Sequence, residues 1–371
     1  MASSLSAVFY RHNLLDLIYT RNHSRDFCAI RGDYFTTRMR LMATVFAVLA
    51  TLWLAIDYLF LDPAYQQPIS LLRAAVAGLY AWMAIRPVRQ HDLRAAHLYL
   101  VAFVSFASVF YIGARQIMPH AGMADAMLVG YYFLPFLLVS MLALFPMTVV
   151  ESVGYLLAIG ALFWGHEWLV GDMHDIVTLG NAWLLGMMAL MAVWAQLSQL
   201  HMLLRLYREA THDVLTGLTN RRALMNGLQH EVQIAHQTRQ PLSVLLMDLD
   251  HFKRINDVHG HIMGDAVLRQ FGALLAEVIH APSVAARFGG EEFFAVLPDM
   301  PKPDAMAVAE TIRERCAALV VDSPMGERIP VTVSIGVAQL NANEATSQLI
   351  CRVDEVLYRA KEGGRNSVSV A

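Results

Sequence analysis

Six apolar stretches fill much of the first 197 residues, and a chain that carries them cannot fold as a single water-soluble core. Leu41 to Leu61 is nearly all apolar and long enough to cross a bilayer, which takes roughly 20 residues. Leu71 to Ile85, Leu98 to Ala114, Leu128 to Phe145, Met147 to Phe163 and Ile176 to Leu197 follow. The second stretch is short and carries Arg73 near its start, so five spans is the alternative to six. Composition agrees: 56% of the 371 residues are hydrophobic and 16% charged, which does not suit a wholly soluble protein. Basic residues gather in the N-terminal tail (Arg11, Arg21, Arg25, Arg31, Arg38, Arg40), in Arg86 to Arg94, and around Arg205 and Arg208. The loops Asp62 to Ser70 and Gly165 to Asp175 carry no Lys or Arg. The positive-inside rule then places both termini in the cytoplasm, and an even number of spans agrees. Lipid is the expected partner of this half, and no cleaved signal peptide is expected.

Within the apolar half, Glu151 is the strongest functional candidate, because an ionisable group inside a span is costly. It can equally sit at the interface, a few residues from Phe145-Pro146. His97, His120, His166 and His174 show no helical i, i+4 pairing and read as loop and headgroup residues. A transporter would require paired, inward-facing ionisable residues or broken helices, and the sequence offers only Glu151 and scattered histidines. The three cysteines, Cys28, Cys316 and Cys351, form neither a metal-ligand spacing nor a disulfide framework, which fits a reducing compartment. With a net charge of -3 and no basic face, nucleic acid is not an expected partner.

Beyond the last stretch, Leu197, Leu200, Leu204, Tyr207 and Thr211 recur at alternating intervals of three and four. That stripe fits a parallel dimer stalk, or simply the amphipathic end of a membrane helix. The second half then reads as helix, strand, helix, hairpin, helix, strand, helix, strand, an α+β pattern. Arg287-Phe-Gly-Gly-Glu-Glu-Phe-Phe-Ala-Val-Leu297 is its hairpin, with Gly289 and Gly290 expected at positive φ in a two-residue turn. Glu291 and Glu292 follow the glycines. A second acidic site, Asp248 and Asp250, ends an apolar run that reads as a buried strand. Carboxylates at neighbouring strand ends suit a hard cation such as Mg²⁺, hence metal-dependent phosphoryl or nucleotidyl transfer, although such a hairpin alone is more often a plain exposed turn.

No Gly-x-x-x-x-Gly-Lys-Ser/Thr element is present, so phosphates need other donors. The turn His251-Phe252-Lys253 offers amides and an ammonium. Lys361 and Arg365 add two cations, which a helix C-terminus favours in any case. Asn256 and Asp265 suit the edges of a base, and equally suit a helix cap and a first-turn acid.

Asp213-Val-Leu-Thr-Gly-Leu-Thr-Asn-Arg-Arg222, Asp248-Leu-Asp-His-Phe-Lys-Arg-Ile-Asn-Asp257, Gly260-His261 with Gly264-Asp265, Arg287-Phe-Gly-Gly-Glu-Glu-Phe293, Ser334-Ile-Gly-Val337 and Ala360-Lys-Glu-Gly-Gly-Arg-Asn366 together resemble the GGDEF family of diguanylate cyclases, in its Gly-Gly-Glu-Glu-Phe variant. The resemblance covers about residues 211 to 371 and implies condensation of two GTP into cyclic di-GMP with loss of two pyrophosphates. It implies that Asp248, the Leu249 carbonyl and Glu291 bind Mg²⁺ or Mn²⁺, with Glu292 assisting a second ion. Asn256, His261 and Asp265 would hold the guanosine, and His251, Phe252, Lys253, Lys361 and Arg365 the triphosphate. Glu291 would accept the proton, and Lys253 would offset transition-state charge. Because each domain holds one GTP, a homodimer is implied. Relatives often carry an inhibitory Arg-x-x-Asp ahead of the hairpin; here those positions are His280 and Ser283, so product inhibition through them is not expected.

The expected organisation is a cytoplasmic segment 1–40, an all-α membrane sensor domain 41–197, a signalling helix 198–212, and a cyclase domain 213–371. The last would be a palm-like, ferredoxin-like sheet flanked by helices. The expected location is a bacterial inner membrane.

Overall fold

The structure is a computed structural model that describes residues 14–86, 91–118, 123–170, 176–322 and 328–371. It divides into two compact units, Met1–Arg205 and Leu206–Ala371.

The first unit is helical: α1 (Arg25–Phe60), α2 (Pro63–Ile85), α3 (Leu93–Ile117), α4 (Met123–Val129), α5 (Leu134–Leu142), α6 (Val149–Val170) and the start of α7 (Ile176–Thr211). Local chemistry sets the starts. The Ser24 hydroxyl accepts from the Phe27 amide, Asp62 accepts from Ala64 ahead of a Pro63 at the first helical position, and Asp92 accepts from Arg94 and Ala95. Among the described residues, α1, α2, α3 and α7 are the helices long and apolar enough to cross a membrane, by length and composition. Large apolar side chains line the outside, including Leu41, Leu52, Leu59, Trp183 and Trp194.

Each of the six expected stretches falls on helix, with differences. The first helix begins at Arg25, not near Leu41, so residues 25 to 40 belong to it and Arg31 is fully buried. The fourth is broken: Gly130 takes φ 83°, a 3-10 turn Tyr131–Phe133 follows, and Pro135 opens α5. The break exposes the Val129 carbonyl, which accepts from Arg73 Nη2 at 2.7 Å. Arg73 also makes a two-pronged ion pair with buried Asp57, at 2.5 and 3.1 Å, and lies 4.8 Å from the Phe110 ring centroid.

A second cluster gathers half-buried Glu151, His97 and Tyr155 around fully buried Arg31. Arg31 Nη2 meets Glu151 Oε2 at 2.6 Å and Pro146 O at 2.9 Å, and His97 lies 3.2 Å from Glu151 Oε1 and 3.0 Å from the Tyr155 hydroxyl. The interior therefore holds paired ionisable groups that the sequence reading did not find, because their partners lie far apart in the chain. His120 and His174 lie outside the described residues, as does the side chain of His166. In α7, Leu200 and Leu204 are buried within the single chain, so the heptad stripe is not an open seam at those two positions.

The second unit is built on a mixed six-stranded sheet of order β1-β3-β4-β2-β7-β8. These are β1 (Thr219–Asn220), β2 (Leu242–Leu249), β3 (Val284–Arg287), β4 (Glu292–Pro298), β7 (Val333–Gln339) and β8 (Val368–Val370), with a separate β5 (Val320–Asp322) and β6 (Arg328–Pro330) ribbon. Helices cover both faces. Leu245, Met247 and Leu249 of β2 pack with α9 (Phe252–His259), α10 (His261–Val278) and α11 (Lys302–Ala317). Leu242, Val244 and Leu246 pack with α8 (Arg221–Thr238) and α12 (Thr346–Glu362). The strand has no polar face because both sides are covered, which is why it reads as a continuous apolar run. Phe271 of α10 meets Phe293 of β4 edge-on with centroids 4.8 Å apart, a geometry that adds about 1 kcal/mol beyond burial.

The expected element order is present, with β1, α9 and the β5–β6 ribbon in addition, and the helix expected from about Asp265 to Ile279 already begins at His261. One local expectation is overturned. Neither Gly289 nor Gly290 takes positive φ, and the hairpin link runs from Phe288 through Glu291 instead of two residues.

Candidate active site

The site forms where β2 runs out between its two neighbours. Asp248 lies directly opposite Glu292 of β4 and Ser334 of β7, so all three side chains share the sheet face covered by α12. Strand pairing thus creates a polar row at one end of an otherwise apolar face. The wide hairpin link hangs beside it: the Glu291 carbonyl accepts from the Leu249 amide at 3.3 Å, and Glu292 O accepts from Phe288 and Gly289 at 2.8 and 3.1 Å. A Cβ at position 289 would stand 2.5 Å from Glu292 Oε2, the mobile end of a side chain that would have to shift. At Gly290 nothing lies within 4 Å of a Cβ position, leaving bare backbone open to a ligand.

Asp248 is 7% exposed and Glu291 half-buried. Burial pushes both carboxyls above the usual carboxylate range; the charge of Asp250 adds to this at Asp248, and those of Asp248 and Glu292 at Glu291. Lys361, near the end of α12, opposes the shift from 2.8 Å off Asp248 Oδ2. Arg365 also pulls the Asp248 pKa down, which brings its charge to the same corner. Lys361 therefore sits on a carboxylate of the acidic site as well as within the cation group expected to hold phosphates.

Asp250 departs from the expected acidic pair. Its side chain is 5% exposed and turned into the protein, where Thr332 and Ser334 hydroxyls each donate to it at 2.7 Å and the Asn366 amide donates at 3.0 Å. His251 follows at φ 55° and heads α9 without a side-chain cap. The first amides of that helix, at Phe252 and Lys253, can therefore meet an anion. The Phe252 side chain is buried in the core, so only its backbone can face a ligand, whereas His251 and Lys253 are exposed.

Gly260, at φ 82°, reverses the chain between α9 and α10. A Cβ on Gly264 would fall 1.9 Å from Asn256 Oδ1, so glycine lets the Asn256 amide lie against the first turn of α10. Exposed His261 opens α10, and half-exposed Asp265 sits one turn on with Arg269 at 3.9 Å. Asn256, His261 and Asp265 thus gather at one helix junction.

Two contacts escaped the sequence reading. Arg287 donates to the Gly290 carbonyl at 2.8 Å and reaches Asp213 at 3.3 Å, tying the hairpin to a residue two positions past α7. Arg313 donates to Asn366 Oδ1 at 3.1 Å. The signal for the first lay in the two quoted motifs that hold Asp213 and Arg287, but not in their pairing.

A Mg²⁺ or Mn²⁺ ion fits this donor set. Two carboxyls whose ionisation is resisted by burial and by each other gain from a divalent cation, and phosphate oxygens and a backbone carbonyl complete a hard-oxygen shell. Among the described residues no cluster of three His, Cys, Asp or Glu side chains stands ready-made for a metal, so the Leu249 carbonyl and substrate oxygens would be needed.

A mixed sheet with helices on both faces carries an acidic strand end beside a glycine hairpin, which makes the second unit an α/β domain with its polar site at one edge of the core. Residues 210–367 match the model of the family described as Diguanylate cyclase, GGDEF domain, and this segment is a GGDEF domain. The chain is 40% identical over 162 residues to diguanylate cyclase DosC of Shigella sonnei, covering 44% of this chain and 35% of that protein. It is 42% identical over 161 residues to the response regulator PleD of Caulobacter vibrioides, covering 43% of this chain and 36% of that protein. The solved coiled coil and GGDEF domain of DgcB from Caulobacter crescentus, in complex with c-di-GMP, is 32% identical, with 49% of this chain and 97% of that chain covered and a TM-score of 0.47. The chain thus spans about a third of the length of those curated relatives.

Proposed function

We propose that the chain is a membrane-bound diguanylate cyclase that condenses two GTP into cyclic di-GMP and two pyrophosphates under control of its helical N-terminal unit. The observation that carries this reading is the corner at which Asp248, Glu291 and Lys361 meet within a GGDEF domain. Asp248, the Leu249 carbonyl and Glu291 would hold Mg²⁺ or Mn²⁺, with Glu292 beside a second ion. Bound there, the metal supplies acidity to the attacking hydroxyl and neutralises the departing pyrophosphate.

The protein's own groups do the rest. The 3′-OH of one GTP attacks the α-phosphorus of the other, the bond to pyrophosphate breaks, and the hydroxyl proton passes to Glu291. A second such step closes the ring. The first amides of α9 and the Lys253 ammonium take the triphosphate oxygens, with His251 alongside. Lys361 has three donors and can serve Asp248 and a phosphate together, while Arg365 offers a planar fork. The Asn256 amide donates to and accepts from the guanine edge, Asp265 accepts from its N1-H and amino group, and His261 closes the nucleoside end. With these groups around one GTP per domain, as the palm-like reading of the sheet implies, two domains would have to face each other.

The apolar exterior of the first unit and the arginine-rich ends of its helices support a multi-pass inner-membrane location with cytoplasmic termini. The paired charges inside it and the helix broken at Gly130 also meet both features expected of a transporter. Each pair, however, is closed by its own hydrogen bonds, which gives it a structural role in fixing helix packing.

The test is incubation of the detergent-solubilised full-length chain with GTP and Mg²⁺, read by nucleotide chromatography beside Glu291→Ala. Cyclic di-GMP from the wild type and none from the variant is expected. GTP binding without product from a demonstrated dimer, with Mn²⁺ also tried, would overturn the enzyme in favour of a GTP-binding regulatory module.

A further inference from the structure

Asp250 lies two residues beyond the carboxylate assigned to the metal, and both of its oxygens are taken by hydrogen bonds from within the protein. One buried carboxylate joins three segments that carry the site: the end of β2, the start of β7 and the turn that follows α12. The backbone repeats the link to β7, since the Asp250 amide donates to Thr332 O at 2.9 Å.

The turn after α12 is the segment with most need of an anchor. Arg365 and Asn366 hold φ of 63° and 42°, a region that non-glycine residues enter at a cost. Asn366 spends its amide on Asp250 Oδ2, and its side chain accepts from Arg313. Arg365 is thereby presented from a strained turn that is pinned at the next residue. On the other side of Asp250, His251 is also at positive φ and starts the amide turn of α9. Two phosphate-facing segments converge on a side chain that is buried from solvent and bonded on both oxygens.

We propose that Asp250 is the positioning residue for the triphosphate: it sets Arg365 and the His251–Lys253 turn at a fixed offset from Asp248, without touching metal or substrate. This rests on the cyclase reading above and adds to it a residue that acts only through others. A metal-ligand role would need the carboxylate charge at the metal. A positioning role needs only its hydrogen bonds. Asp250→Asn separates the two, because hydroxyls donate or accept: the amide oxygen can face the Asn366 amide and Thr332 while the amide nitrogen donates to Ser334.

The test titrates the full-length solubilised chain, with Mg²⁺, against GMP and against the α,β-methylene analogue of GTP, which cannot release pyrophosphate. In Asp250→Ala, affinity for the triphosphate analogue is expected to fall about tenfold, the scale of one displaced charge-assisted contact, while GMP affinity stays at the wild-type value. Asp250→Asn is expected to stay within about threefold of wild type. The double variant Asp250→Ala with Arg365→Ala is expected to bind more weakly than Arg365→Ala alone, but by less than the two single losses combined, since Asp250 acts in part through Arg365 and in part through the His251–Lys253 turn. If Asp250→Ala does not accumulate folded, Thr332→Val with Ser334→Ala carries the same expectation. Unchanged triphosphate affinity, a parallel loss of GMP, or an Asn variant as weak as the Ala variant would each overturn the positioning role. A wild type that binds neither probe and forms no product would instead overturn the cyclase reading itself.

Discussion

Asp248 and Glu291 show how one residue's environment sets the conditions under which the site works. Both carboxyls titrate above the usual carboxylate range, because burial disfavours the anion and neighbouring carboxylates repel it. In the proposed mechanism metal binding and proton acceptance need the anions, so activity is expected to be lost as pH falls through these raised values, starting above the ordinary Glu value of about 4.3. A divalent cation favours the ionised form, so raising Mg²⁺ should move the acid limb of the pH–rate profile to lower pH. An acid limb that does not respond to Mg²⁺ would detach these carboxyls from the metal. The same sign bears on folding: once pH exceeds their raised values, the ionised pair disfavours the folded domain, and a bound cation offsets that.

At the scale of elements, helices and strands were largely legible and the contacts between them were not. The apolar run of β2 announced a buried strand, and the expected hairpin, helices and closing strand are all present. The width of the hairpin link was hidden, since the glycine pattern suits a tight turn, whereas the clash of a Cβ at 289 with Glu292 arises only once the strands pair. Of the candidate residues, Asp248, Glu291 and Lys361 do share a corner, and Phe252 and Asp250 turn inward. Their facing depends on which neighbour covers each side, which no local spacing records. Long-range charge pairing was equally invisible. Arg73 looked like a flaw in a span until Asp57 and the broken helix at Gly130 gave it partners. Glu151 belongs with Arg31, which is fully buried and loses its carboxylate in Glu151→Ala. Breaking such a pair should lower stability by about 3–5 kcal/mol. Thermal unfolding in detergent would show it, and Glu151→Gln, which keeps an acceptor for Arg31, should lose less. Equal melting of all three chains would remove the pair from the packing of this unit.

For the whole molecule, chemistry demands what one chain cannot supply. On the proposed reading each cyclase domain offers one set of phosphate-facing groups, and the product would need two nucleotides attacking each other in opposite senses. The helix that leads from one unit into the other already buries Leu200 and Leu204 within its own chain, while Met202 and Leu206 are exposed. A dimer seam on this helix therefore has its free apolar positions off the expected stripe. In either arrangement, rate per chain should depend on concentration: below the dimer dissociation constant, specific activity is expected to fall in proportion to dilution, while binding of the non-reacting triphosphate analogue per chain stays constant. Fusing residues 213–371 to a parallel two-stranded coiled coil should restore activity at dilution by raising the effective concentration of the partner domain. Constant specific activity down to concentrations at which light scattering shows only monomers would mean that both nucleotides react within one chain. The facing-domain geometry would then have to be abandoned, although the single-domain site could still bind GTP.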